Sequence, residues 1–305
     1  SFKVYMLAAD YYNENVNYDS AILFLSLAES TIETDKNIEN SARIWILYAE
    51  CYFNKADLSQ AQHYFQKVLD IKEVSNEIHD LKLSAYMGLS RLYSKWRYDS
   101  TALRYLQEAV QLNSFVPTDI KSRLLIHNMG LIYLNMEIYD SALFRFTEAI
   151  DGLDSLEYYH RYGIYYNNAG ICLQGLGQLE AADRSYQKAL DMRRARGNKS
   201  RIASTLTNIA TNALLLKQPQ RALDYALECI TLAKEIGNPD FLRKGYSLGK
   251  EAYQELSMFQ EALKLQGLEI PLRDSLFNLN RHEQLVELQA RYEFDKKEAE
   301  LNFKN

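Results

Sequence analysis

The stretch YYNNAGICLQGLGQLEAADRSYQKA, Tyr165 to Ala189, contains the features that decide the fold. Its central alanine, Ala182, follows a turn-like GLGQ segment; Gly170 stands twelve residues before it and Tyr186 four residues after it. Such spacings of three and four residues place side chains on one face of a helix. The stretch therefore predicts two helices that pack against each other across a short turn.

The same alanine recurs along the chain at a nearly constant spacing. The gaps between successive alanines are 40, 41, 40, 40, 40 and 40 residues. A constant period of this length indicates a structural repeat, and a single helix pair cannot bury its apolar face without neighbours. We therefore predict an all-α chain in which seven helix pairs stack around one core. The seven alanines are Ala21, Ala61, Ala102, Ala142, Ala182, Ala222 and Ala262.

The composition agrees with this prediction and excludes several other classes. The 305 residues are 47% hydrophobic and 25% charged, enough for a large core, and the scarcity of glycine (12) and proline (4) disfavours a turn-rich all-β fold. A net charge of -5 argues against binding of nucleic acid by this segment. No apolar run approaches the roughly 18 residues of a membrane span, and no signal peptide is present. The chain begins without Met in an already helical pattern, which suggests a piece of a longer protein.

Each repeated alanine is accompanied by the same set of residues. A bulky residue lies sixteen positions before it, a small one usually twelve before it, and a tyrosine or other apolar residue nine before it. The set is clearest in WILYAECY, IHNMGLIY and YNNAGICL. Small residues let the two helices approach, while the bulky ones fill the space between neighbouring repeats.

This pattern resembles the tetratricopeptide repeat. The resemblance implies a right-handed α-solenoid of seven helix pairs over residues 1–270, followed by a C-terminal helix over residues 271–305. The period exceeds the common length of 34 residues by about six, as in the long repeats of kinesin light chains and bacterial peptide-sensing regulators. The predicted repeats are 1–34, 42–75, 83–116, 123–156, 163–196, 203–236 and 243–270.

The C-terminal segment, residues 271–305, allows two compatible interpretations. It predicts a solvated helix, because residues 281–305 contain five Lys or Arg and six Asp or Glu. Such a helix could cap the open end of the solenoid, or pair with a second copy to form a homodimer. The sequences RDSLF and LVELQARYEFDKKEAEL also resemble the linker that, in membrane-anchored regulators of the Bacteroidetes, joins a periplasmic tetratricopeptide sensor to a transmembrane helix. That resemblance implies a periplasmic location and a membrane connection only through a segment outside this chain; the alternative location is cytoplasmic.

The sequence contains no specific catalytic or metal-binding pattern. The three cysteines are far apart and predict core positions, and the five histidines lack the spacing of metal ligands. The glycines of GLGQ lack the strand and the Lys-Ser/Thr pair of a phosphate-binding loop. We therefore expect a protein without metal or cofactor that is not an enzyme.

Three asparagines spaced by 40 residues mark the candidate binding surface. With each repeated alanine set at repeat position 20, Asn128, Asn168 and Asn208 all occupy position 6. The family geometry implies that positions 5, 6 and 9 of the first helix can face the concave groove. An amide side chain offers both donors and an acceptor, so a row of amides could hold the backbone of an extended peptide; alternatively, the asparagines bond within the solenoid. The ten candidate residues are His127, Asn128, Leu131, Asn167, Asn168, Ile171, Thr207, Asn208, Thr211 and Asn212.

These features favour a non-enzymatic module that binds a peptide or a partner protein in the groove. The resemblance implies that the module is the sensor or input region of a larger signalling or transcription-regulating protein. The alternative is a free-standing scaffold that assembles partner proteins.

Overall fold

The computed structural model describes residues 2–14, 17–32, 37–73, 75–113, 119–151 and 162–302. These ranges contain fourteen α-helices and no strand. The predicted repeat ends at residues 34, 116 and 156, and the last residues of the predicted C-terminal helix, lie outside the described residues. The helices are α1 (Phe2–Glu14), α2 (Tyr18–Ile32), α3 (Ile38–Asn54), α4 (Leu58–Leu69), α5 (Asn76–Lys95), α6 (Asp99–Asn113), α7 (Asp119–Asn135), α8 (Tyr139–Ile150), α9 (Gly163–Gly175), α10 (Leu179–Arg196), α11 (Lys199–Leu215), α12 (Pro219–Glu235), α13 (Pro239–Glu255) and α14 (Phe259–Asn302).

Helices that follow each other in sequence pack against each other. The chain divides into two compact units, residues 1–128 with 285–305, and residues 129–284. In the first unit α1 packs on α2, α3 on α4 and α5 on α6; in the second α9 packs on α10, α11 on α12 and α12 on α13. This arrangement confirms the predicted all-α solenoid of helix pairs.

The turn between the two helices is built in the same way in the second to the seventh pair. In the sixth pair Lys217 has a left-handed φ of 58°, its N–H donates to Leu214 O at 3.0 Å, and the next N–H, of Gln218, donates to Ala213 O at 2.8 Å. These bonds satisfy carbonyls at the helix end that otherwise lack a partner. The left-handed residues of this turn, with φ between 58° and 75°, are Ala56, Arg97, Glu137, Gly177, Lys217 and Ser257.

In several pairs the first helix begins about one helical turn before the first residue of the predicted repeat. Asn198 caps α11 by accepting from Arg201 N at 3.0 Å, and Asn238 caps α13 by accepting from Phe241 N at 3.0 Å. Such caps satisfy N–H groups that have no partner within the helix. Helices α3, α11 and α13 consequently reach 17 residues each, which accounts for the long period.

The repeated alanines lie in the core, as predicted. Six of the seven are fully buried, and Ala262 is 3% exposed. The small residue at repeat position 8 has the expected role, because a Cβ added to Gly170 would lie only 2.6 Å from the ring of Tyr186 on the paired helix. The three cysteines are also buried.

Helix α14 continues across the predicted boundary at residue 271. It runs from Phe259 to Asn302 with Pro271 inside it. Proline removes the N–H that would bond the carbonyl four residues earlier, here that of Gly267. Both residues are exposed, so water can reach that carbonyl and the helix need not end. In the described part of the chain, none of the helices has an apolar stretch long enough to cross a membrane.

Candidate functional site

The candidate site is centred on α9 and α11 of the second unit, each the first helix of its pair, where three of the predicted asparagines meet. We call Asn167, Asn168 and Asn208 the amide cluster. Asn208 Nδ2 donates to Asn167 Oδ1 at 3.1 Å, and Asn167 Nδ2 donates to Asn168 Oδ1 at 3.4 Å. Two neighbouring first helices are thus joined through amides at repeat positions 5 and 6.

Asn167 is the most connected member of the amide cluster. Its Oδ1 also accepts from Thr205 Oγ1 on α11 and from Arg193 Nη1 on α10, each at 3.3 Å. The residue is only 4% exposed. Because a buried polar group is costly unless it is hydrogen-bonded, these contacts explain why an asparagine is accepted in the interior of α9.

Asn208 is the member of the amide cluster with the most accessible side chain. It is half-buried, whereas Asn168 is 7% exposed. Within the described residues, Asn208 uses one N–H for the bond to Asn167 and makes no bond through Oδ1. It therefore retains a donor and an acceptor, the two groups that an extended peptide backbone requires.

The other polar candidates of α11 make local bonds. Thr207 Oγ1 donates to Ser204 O at 2.8 Å, and Thr211 Oγ1 donates to Thr207 O at 2.9 Å, both within the same helix. Asn212 is fully buried and donates through Nδ2 to Leu179 O at 2.9 Å. Asn212 therefore ties α11 to the start of α10.

An open cavity adjoins these residues between α11 and α13. Its volume is about 620 Å³, and its lining includes Thr211, Lys217, Glu251 and Glu255. Lys217 Nζ lies 3.6 Å from a carboxylate oxygen of Glu255. The candidate surface of the second unit is thus neutral at the amide cluster and charged at this cavity.

Two predicted apolar candidates are half-buried. Ile171 packs against the core cluster that contains Tyr186 and Leu206. Leu131 packs against the cluster that contains Ala142 and Phe146. Each therefore offers part of its surface beside a polar first-helix position.

The remaining candidates, His127 and Asn128, belong to the first unit. His127 is 4% exposed, and burial lowers the pKa of its imidazole to about 4, although the hydrogen bond to Asn128 opposes this shift. The imidazole is therefore neutral at pH 7. Asn128 is half-buried.

Family models match the regions that carry these candidates. A model described as a tetratricopeptide repeat matches residues 121–195 and 161–235, and a second model with the same description matches residues 42–74. These regions of the chain therefore carry tetratricopeptide repeats. None of the curated proteins matches the chain.

Solved structures with the same repeat architecture cover most of the chain. The apo form of RapI has a TM-score of 0.74 at 12% identity and covers 90% of this chain and 77% of its own. A STAND protein with a tetratricopeptide repeat sensor from Pyrococcus horikoshii, PH0952, has a TM-score of 0.71 at 17% identity; the match covers 90% of this chain and 43% of PH0952. NprR in complex with its cognate peptide NprX has a TM-score of 0.58 at 17% identity, over 90% and 78% of the two chains. At these identities the likeness concerns the fold.

Sequence reasoning missed Arg193 and Thr205, which surround Asn167 in these tetratricopeptide repeats. Arg193 is 6% exposed, and Thr205 is fully buried. The burial of Arg193 could have been predicted from its spacing in the sequence, because Arg193 continues the buried face of α10 formed by Ala182, Tyr186 and Ala189. An arginine on such a face requires internal hydrogen-bond acceptors.

The three cysteines are buried and poorly reactive. Burial raises the pKa of Cys51 to about 11 and the pKa values of Cys172 and Cys229 to about 12, so the nucleophilic thiolate is disfavoured at pH 7. Among the described residues, no three His, Cys, Asp or Glu side chains are placed to hold a metal ion.

The buried His127 predicts a loss of stability in mild acid. The unfolded chain takes up the proton near pH 6.5 and the folded chain only near pH 4, so the unfolded state binds more protons between these values and stability falls as the pH decreases. At pH 5 the expected loss is about 2 kcal/mol relative to pH 8. Urea unfolding of wild type and His127→Gln at both pH values measures it. The wild type should lose about 2 kcal/mol more than the variant, and equal losses would contradict the assignment.

Proposed function

We propose that the protein is a non-enzymatic module that binds a peptide or an extended segment of a partner protein on its first helices. The observation that carries the proposal is the amide cluster, in which Asn208 presents a free donor and acceptor while Asn167 fixes its position. The fold similarity to NprR, which was solved with its cognate peptide, supports a peptide as the ligand. The proposed contact residues are the candidates of the second unit that keep some exposed surface, Leu131, Asn168, Ile171, Asn208 and Thr211, whereas the fully buried Asn212 ties α11 to α10.

We further propose that the module is the sensor of a larger signalling or transcription-regulating protein. The fold similarity to PH0952, a signal-transduction ATPase whose tetratricopeptide repeats are its sensor, supports this role. The resemblance of the C-terminal segment to a membrane-proximal linker supports a periplasmic sensor with a membrane anchor. Sequencing of the complete gene tests this proposal, which requires an apolar span of about 20 residues beyond residue 305. A free-standing scaffold, without anchor or output domain, is the alternative function.

Selection from a peptide library tests the binding function. Random ten-residue peptides are selected against the immobilised protein, and the enriched peptides are synthesised and titrated in solution. We expect dissociation constants in the micromolar range or below, with competition between different selected peptides for one site. If no peptide is enriched over selection on the bare support, the proposal of a peptide-binding surface is wrong.

A further inference from the structure

The first helix of the chain exposes two apolar side chains at positions that are buried in every other pair. Val4 and Tyr11 of α1 are 65% and 62% exposed, and they occupy repeat positions 3 and 10. The residues at these two positions are buried in each of the other six pairs, as Ile44 and Cys51 are in the second. We call Val4 and Tyr11 the α1 face. The exposure of the α1 face therefore belongs to its place in the first pair and not to the repeat.

The last helix exposes a matching set of apolar side chains. Phe259, Leu263 and Ile270 of α14 are 62%, 66% and 37% exposed, and their spacing places them on one side of the helix. Forty residues before Leu263 and Ile270, α12 carries the same residue types at Leu223 and Ile230, which are only 5% and 7% exposed. We call Phe259, Leu263 and Ile270 the α14 face. Large apolar side chains grouped on one surface are typical of an interaction site.

The packing of α12 on α13 shows what covers such a face. A Cβ added to Gly245 of α13 would lie 2.7 Å from Ile230 Cγ1, and Leu223 belongs to the same core cluster as Ala252 of α13. Gly245 and Ala252 occupy repeat positions 3 and 10. Positions 21 and 28 of a second helix thus meet positions 10 and 3 of the following first helix. The α14 face presents the former positions uncovered, and the α1 face presents the latter.

We propose that the α14 face of one copy binds the α1 face of a second copy, so that copies of the chain join head to tail. In this contact Leu263 packs against Tyr11 of the second copy and Ile270 packs against its Val4, in the register by which α12 packs on α13. Removal of these apolar side chains from water drives the association. The contact does not involve the amide cluster, so the inference is independent of the proposed peptide binding.

The residue types of both faces are compatible with this contact. Val4 and Tyr11 are larger than the glycine and the alanine at the same positions of α13. The repeat accepts such sizes, because Ile44 at position 3 and Leu92 at position 10 are fully buried. Solenoids usually end in repeats with a polar outer face, which keeps them soluble. Neither the α1 face nor the α14 face is polar.

The proposed contact is heterologous, because it joins two different surfaces. A dimer therefore keeps one free α1 face and one free α14 face, and further copies add to it until a ring closes. Each copy contributes one side of one helix, which is smaller than a standard protein interface. We consequently expect a dissociation constant in the micromolar range.

Sedimentation velocity of the 305-residue chain tests self-association. Between about 2 and about 200 µM the average sedimentation coefficient of the wild type should rise, with most of the protein in dimers or larger assemblies at the upper concentration. Phe144→Glu is the matched control and should associate as the wild type does, since Phe144 is 61% exposed but lies on α8 of an inner pair. A wild type that stays monomeric at every concentration would overturn the inference.

Two double variants each remove one face. Val4→Glu with Tyr11→Glu changes the α1 face, and Leu263→Glu with Ile270→Glu changes the α14 face. Because all four side chains are exposed, both variants should fold like the wild type, which circular dichroism verifies. Each variant alone should remain monomeric up to about 200 µM, because burial of a carboxylate without a partner is costly. If a double variant does not fold, Tyr11→Glu or Leu263→Glu alone replaces it.

An equimolar mixture of the two double variants distinguishes the head-to-tail contact from a symmetric one. One variant retains the α14 face and the other retains the α1 face, so the mixture should form dimers and no larger assembly. A mixture that stays monomeric would contradict the contact. Self-association of the variant with the changed α1 face would instead indicate a homodimer through α14 and would reject the inference. Because none of these substitutions changes the amide cluster, either failure leaves the proposed peptide binding intact.

Discussion

Replacement of Gly170 by alanine is expected to lower the free energy of unfolding by about 2 kcal/mol, although alanine is the better helix former. The added Cβ would lie 2.6 Å from two ring carbons of Tyr186. That ring cannot easily move, because Tyr186 is 1% exposed and its hydroxyl donates to Gln174 Oε1 at 2.9 Å. Chemical denaturation followed by circular dichroism measures the change.

The chain provides a matched control for Gly170 in the same unit. Gly267 also lies inside a helix, but a Cβ added there meets no atom within 4 Å. Gly267→Ala should therefore raise the free energy of unfolding by about 0.5–1 kcal/mol through the reduced entropy of the unfolded chain. Similar effects of the two substitutions would show that the contact between Gly170 and Tyr186 does not limit the packing of α9 on α10.

Combined replacement of Asn168 and Asn208 by alanine is expected to weaken binding of a selected peptide by at least about 100-fold. Loss of two hydrogen bonds to a ligand backbone, each contributing about 1–1.5 kcal/mol, accounts for this factor. The free energy of unfolding should change by less than about 2 kcal/mol. Isothermal titration of a selected peptide and urea unfolding give the two quantities.

Gln187→Ala is the matched control for the two asparagines. This substitution also removes an amide that joins neighbouring repeats, because Gln187 Nε2 donates to Tyr225 OH at 2.9 Å. Both residues lie on second helices of their pairs, α10 and α12, and not on the proposed binding surface. Peptide affinity should remain within about threefold of the wild type. A double variant that binds the peptide normally but is severely destabilised would assign the amide cluster to the solenoid alone.

The fold was predictable because the repeat specifies packing through local residue types. The period of the alanines predicted the succession of helix pairs, and the small residue at Gly170 predicted a close approach of two paired helices, although not that the ring of Tyr186 lies at that approach. The spacing did not predict that α14 continues through Pro271, because the tolerance of that proline depends on solvent exposure around Gly267.

The candidate site was less predictable than the fold. Arithmetic on repeat positions identified Asn167 and Asn208 but not the bond between them, because that bond depends on the distance between two neighbouring repeats. The buried contacts of Asn167 arise from Arg193 and Thr205, which lie on different helices. A periodic pattern gives the face on which a residue lies, but it does not identify the side chains that meet there.

The left-handed turns have a consequence for how such repeats diverge. Glycine adopts this conformation without strain, yet Gly177 is the only glycine at this position in the six turns that the structure describes. Residues such as Glu137 and Lys217 adopt it at a cost of about 1 kcal/mol each. Since the two bonds at the helix end impose the backbone path, the identity of the turn residue is nearly free to vary. The residues at the tips of the turns can therefore differ from one repeat to the next while the alanines stay 40 or 41 residues apart, so the register of the solenoid does not depend on the chemistry of its turns.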